Sequence, residues 1–361
     1  MIQSRFAAMR PPRVPPSPNL APPLKGSPAA ANAAAYLGGR LGIDALSLAH
    51  ARSAGPSAVV VTLGHVAGTA DPFCETVRDI TRWNAFIAQQ PESLRRALGV
   101  SDIAAAAAAG QVGVIYGFQN TQMLGREADR VRLFARMGVR VMQLTYDGRN
   151  AVGDGALVAD DRGLSPFGLQ VVERLQAEGV LVDLGHSSEK TCLDALGVAR
   201  RPLAITHTGC RAVAEHPRHK SDAELRVLAA KGGVAGLLFR PCLRGAGQAM
   251  AADVLAHLEH ALDVCGEDHV ALGAHGGAVV HEDLPAWRRQ REDEIALGRA
   301  QGGGVPGDSA EVGSFLSDLC SPAQFEPLAD LLAARGHAGS RIDKILGGNF
   351  RRVMAEAWTH A

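Results

Sequence analysis

Between residues 41 and 274 the chain repeats one rhythm, a short run of apolar residues followed by a longer stretch of helical period. The runs fall at about 41–46 (LGIDAL), 57–64 (SAVVVTLG), 112–118 (VGVIYGF), 139–145 (VRVMQLT), 179–184 (GVLVDL), 202–206 (PLAIT), 233–239 (GVAGLLF) and 269–274 (HVALGA). Each is apolar almost throughout and lacks the alternation of a half-solvated strand, so each asks to be covered on both faces. Eight such strands with helices between them predict a closed parallel (β/α)8 barrel, an α/β fold in a single domain. A doubly wound open sheet is the second architecture that fits. At 361 residues with 47% hydrophobic content the chain has the material for one large core.

The flanks read differently. Residues 1–30 are rich in Pro, Ala and Ser and predict a poorly ordered leader, which leaves 31–361 for the barrel. A polar stretch at about 280–310 reads as an insertion, and a final helix is expected from about 340 to 358. The 37 Lys and Arg balance 37 Asp and Glu, so no field favours a nucleic acid or an anionic membrane surface. No apolar stretch approaches the length needed to span a bilayer. Six scattered cysteines without close pairing suit reduced thiols, and the expected setting is cytoplasmic. A homodimer, common among barrel enzymes, is compatible with the sequence, which identifies no interface.

Active sites of such barrels are built where the strands end, so the residues that follow each strand matter most. The second strand runs into His65, the third into Gln119 and Asn120, and the fourth into Tyr146 and Asp147. The fifth runs into His186, the sixth into His207, the seventh into Arg240 and the eighth into His275. Four of the 13 histidines thus share one rim. His186 and His207 follow buried strands on successive units, which lets two imidazoles converge on one divalent ion such as zinc. The spaced pairs His216/His219 and His257/His260 lack the HExxH arrangement and are expected at the surface or in loops. No glycine cluster follows a strand in the manner of a phosphate-binding loop.

The stretch from about 117 to 239 resembles the membrane (renal-type) dipeptidase family of metallopeptidases. The phrases that carry the resemblance are GFQNTQMLG, MGVRVMQLTYDGRNAVGDG, GLSPFGLQVVERLQAEGVLVDLGHSSEKT and ITHTGCRAVAEHPRHKSDAELRVLAAKGGVAGLLF, with weaker similarity in DHVALG and KILGGNFRRV. The resemblance implies a (β/α)8 barrel with a binuclear zinc centre that hydrolyses dipeptides. It implies His186 and His207 as metal ligands and Arg218 as the partner of a substrate carboxylate.

At other positions this chain departs from the family pattern. Leu46 and Leu48 stand where an HxD pair is expected, Gln119 where a bridging glutamate is, Tyr146 where a substrate-contacting histidine is, and His275 where a proton-accepting aspartate is. The expectation is therefore one metal ion at most, held by His186, His207 and a third ligand, His275 or His65. His275 and Tyr146 are the candidates for proton transfer, with Arg218, Tyr146 and Gln119 against a dipeptide or related small-molecule substrate. The alternative is a homologue that has lost dipeptide hydrolysis and serves as a biosynthetic tailoring enzyme or a small-molecule binder.

Overall fold

The computed structural model describes residues 43–47 as backbone, and 57–64, 71–275, 316–319 and 324–359, with a few helical positions between 289 and 296. The expected leader, His65, Leu48, the side chain of Leu46 and most of the polar insertion lie outside the described residues. Nine strands are described: β1 (Ile43–Ser47), β2 (Ala58–Thr62), β3 (Leu94–Arg96), β4 (Val112–Phe118), β5 (Val139–Gln143), β6 (Leu181–Asp183), β7 (Ala204–Thr208), β8 (Val234–Leu237) and β9 (Val270–Leu272). The helices between and after them are α1 (Pro72–Ala88), α2 (Val100–Ala108), α3 (Arg130–Arg136), α4 (Pro166–Ala177), α5 (Glu189–Val198), α6 (Asp222–Ala230), α7 (Ala251–Cys265), α8 (Phe325–Ala334), α9 (Gly339–Asp343) and α10 (Asn349–Ala357).

All pairings between strands are parallel, and the sheet runs in the order β1-β2-β4-β5-β6-β7-β8-β9. That order never reverses, so it lacks the switch point of a doubly wound sheet. β1 returns to within 8 Å of β9, Cα to Cα, and the curled sheet is a (β/α)8 barrel. Its eight strands are the eight apolar runs read from the sequence. The ninth, β3, pairs only with the start of β4, at Leu94–Val112 to Arg96–Val114. Its sequence, LRR, carries no apolar run that could have announced it.

The two faces of the strands go to two separate cores. Val59, Val61, Val114, Tyr116, Met142, Val182, Ile205, Leu237 and Leu272 face the helices. Ala58, Val60, Ile115, Val141, Leu181, Ala204, Val234 and Ala271 form an inner layer with Phe350, Val353, Met354, Ala357 and Trp358. The last helix therefore closes the lower end of the barrel. Trp358 Nε1 donates to the Arg140 carbonyl at 2.9 Å, and Asn349 Nδ2 donates to the Val270 carbonyl at 2.9 Å. The expected helix at 340–358 is thus two helices joined by a π-turn at Lys344–Gly348, where the glycine pair of ILGGN breaks the regular pattern. No helix among the described residues is long and apolar enough to cross a membrane.

Three of the histidines expected at the surface or in loops are buried. His216 is 8% exposed, and His219 and His257 are 0% exposed. His257 replaces an apolar residue on the inner stripe of α7 because two main-chain groups need it. Its Nδ1 accepts from the Cys210 amide at 2.8 Å and its Nε2 donates to the Leu243 carbonyl at 2.9 Å.

β7, β8 and β9 approach so closely that side chains are excluded at two points. A Cβ on Gly273 would lie 1.8 Å from the Thr206 carbonyl oxygen, and one on Gly236 would lie 2.2 Å from it. Gly273→Ala and Gly236→Ala are therefore expected to cost about 1–3 kcal/mol each by overpacking. Gly245→Ala, which meets nothing within 4 Å, should stay within about 0.5 kcal/mol of the parent. Urea unfolding midpoints of the three variants check this.

Candidate active site at the barrel mouth

The strand ends bring His186, His207, His275, Tyr146 and Arg218 together, with Asp147 among them. His207 lies inside β7, whose hydrogen bonding fixes its backbone. His186 follows β6 and precedes α5, whose N-cap Ser188 accepts from the Thr191 amide and so fixes the loop. His275 follows β9 with φ of 61°, the only positive φ at a non-glycine among the described residues. Such a backbone is costly and persists where the surroundings impose it, commonly at functional sites.

The rings form a chain. Tyr146 stacks on His186 with centroids 4.2 Å apart and planes at 22°. His186 lies 4.9 Å from His207, and His207 lies 4.8 Å from His275. One ligand nitrogen from each of the three histidines falls within 4.8 Å of the others.

Hydrogen bonds assign the tautomers. Asp183 is buried within β6 and accepts from the Gly185 amide, the Thr206 amide and, at 2.6 Å, the Thr206 hydroxyl. With its proton so committed, Thr206 Oγ1 accepts from His207 Nδ1 at 2.8 Å. The lone pair of His207 is then on Nε2, to which Arg218 donates at 3.1 Å. His186 Nδ1 donates to Asp147 Oδ1 at 2.7 Å, and its Nε2 is buried with no hydrogen-bond partner. A buried, unpartnered imidazole nitrogen whose opposite nitrogen is held by a carboxylate is the arrangement of a metal ligand.

The electrostatics agree with that assignment. Burial is the main reason the His186 and His207 pKa values fall well below the usual imidazole range, with Arg218 and His275 adding to the effect. Both rings are neutral and keep a lone pair at neutral pH. Asp147, 1% exposed, is pushed up by burial, and the Arg218 guanidinium at 3.3 Å pulls it back.

The donor set thus fits one cation on three nitrogens. It does not fit a bridged pair, because position 119 offers an amide in place of a carboxylate. The Gln119 side chain is moreover held toward β2, since its Nε2 donates to Thr62 Oγ1 at 2.7 Å.

Asp147 is the residue whose role sequence reading missed, although it stands on the rim directly after Tyr146. The other missed residue, Asp183, did leave a signal, for it is a carboxylate inside an otherwise apolar strand and requires buried partners. Asp147→Ala strands a buried guanidinium and is expected to cost about 3–5 kcal/mol. Asp147→Asn, which can still accept from His186, should cost less. Chemical denaturation of the two variants checks both the size and the order.

Comparison with known proteins accords with this geometry. A family model described as membrane dipeptidase (Peptidase family M19) matches residues 37–285. Dipeptidase verJ of Clonostachys rogersoniana is 28% identical over 201 residues, 55% of this chain and 52% of that protein. Dipeptidase tcpJ of Claviceps purpurea is 28% identical over 251 residues, 68% of this chain and 51% of that one. The chain thus spans about half the length of these curated relatives. Among solved structures, an amidohydrolase from Pseudomonas aeruginosa aligns with a TM-score of 0.77 at 26% identity, covering 90% of this chain and 99% of that one. With the family model matched over more than half of its length, the chain belongs to the membrane dipeptidase family.

Proposed function

We propose that this protein is a metal-dependent hydrolase of dipeptides or of a closely related small amide, working with one zinc ion at the barrel mouth. The observation that carries the reading is the His186, His207 and His275 cluster, with the buried lone pair of His186 Nε2 directed at no protein donor. These three residues would hold the ion. When bound, zinc supplies Lewis-acid polarisation of an amide carbonyl and brings the pKa of water toward about 7.

The surrounding side chains then have defined tasks. Asp147 and the Asp183–Thr206 pair hold the two imidazoles in the tautomers that present Nε2. Arg218 is anchored through Nη1 on Asp147, and its Nε is buried without a partner. With His207 Nε2 serving as a ligand, Arg218 Nη2 and Nε would be the two donors available to a substrate carboxylate. Tyr146, stacked on His186, covers one side of the cluster and places a phenol beside it. The scattered thiols support a reducing, cytoplasmic setting; the five described cysteines are in no disulfide.

Elemental analysis and a panel of small dipeptides test the proposal. The parent protein should hydrolyse at least one dipeptide in a chelator-sensitive way. His186→Ala and His207→Ala should each lose one equivalent of zinc and fall to background activity. Unchanged metal content in both variants, or hydrolysis indifferent to chelator, would sink the reading.

A further inference from the structure

The buried histidine pair beside Arg218 lies outside the cluster described above and has its own donors. We propose that His216, His219 and Cys242 form a second cation site, for a thiophilic divalent ion such as zinc. Each residue offers one ligand atom, and the three atoms lie within 4.8 Å of one another. They come from two neighbouring barrel units, the loop after β7 and the short turn Pro241–Leu243 after β8.

His219 carries the argument. It is 0% exposed, its Nδ1 donates to the Ala214 carbonyl at 2.8 Å, and its Nε2 is buried with no hydrogen-bond partner. Burial, the largest cause, takes its pKa down to about 3, so the ring is neutral and its lone pair is ready. The ring lies over Gly209, where only the absence of a Cβ leaves room for it, since a Cβ there would lie 2.5 Å from Nε2. His257, whose ring is 5.2 Å from that of His219, is excluded as a ligand since both its nitrogens are engaged with main chain.

His216 is the second nitrogen donor. Its Nδ1 accepts from the Arg218 amide at 3.1 Å, which ties the ring to the backbone of that arginine. A thiolate with two imidazoles selects a zinc-like ion over calcium or magnesium, which prefer oxygen ligands. His216 and His219 flank Arg218 in the run HPRH, so an ion here would pin the backbone on both sides of that arginine. It would also tie the loop after β7 to the turn after β8. The site is a positioning element for Arg218, and it stands independently of the mononuclear reading of the barrel mouth.

Cobalt(II) titration of the metal-free full chain tests the inference, because only a thiolate ligand gives an intense near-ultraviolet sulfur-to-cobalt charge-transfer band. The parent should develop that band and bind two equivalents of zinc in elemental analysis. Cys242→Ser and His219→Gln should lose the band and one equivalent, with the folded far-ultraviolet spectrum retained. His186→Ala should keep the band and lose the other equivalent, which separates failure at the mouth from failure here. Absence of the band in the parent, its persistence in Cys242→Ser, or its loss in His186→Ala would overturn the proposal.

Discussion

The polar end of the barrel hangs on one carboxylate. Asp147 Oδ1 is shared between the His186 ring and the Arg218 guanidinium, and all three groups are buried. Without that anion the guanidinium would be an uncompensated charge in a low-dielectric mouth, and the His186 tautomer would be unspecified. Burial makes each interaction strong and makes each unmet group costly. His207, held from the opposite side by Thr206 and Asp183, meets the same guanidinium. Two buried aspartates, Asp147 in the loop after β5 and Asp183 in β6, thus orient two imidazoles, and a single arginine links them.

The same arrangement bears on the number of ions that we propose for the barrel mouth. A bridged pair of divalent ions needs carboxylates between and around them to offset their charge. Here the positions read as Gln119, Tyr146 and His275 are all uncharged as ligands, and the negative charge next to the cluster is Asp147, already balanced by Arg218. Three neutral nitrogens suit the single divalent ion that we propose. The left-handed backbone of His275 holds an imidazole beside His207, at the position where the resemblance implies an aspartate.

The fold was legible because burial on both faces writes itself into composition. Runs such as AVVVT and VGVIYGF can hardly be other than covered strands, and their order along the chain is their order round the barrel. His186, His207 and His275 were legible for the same reason, since each follows such a run. β3 was not, because three residues with two arginines make a strand only by borrowing the edge of β4. Nor were the burial of His216, His219 and His257 or the pairing of Asp147. A polar residue is buried when distant main-chain groups or charges require a partner, and that need is set by tertiary contacts. His257 lies 47 residues from the Cys210 amide it serves, and no local pattern records the debt.

The helix that stoppers the lower end of the barrel, α10, follows β9 in the chain by dozens of residues, yet its side chains complete the layer inside the strands. During synthesis the strands emerge first, and their inner faces stay wet until α10 arrives. The final drying of the barrel is then a late, cooperative event that couples both ends of the chain's core. A nascent barrel lacking α10 is a hollow sheet with an apolar lumen, the species that chaperones are built to shelter.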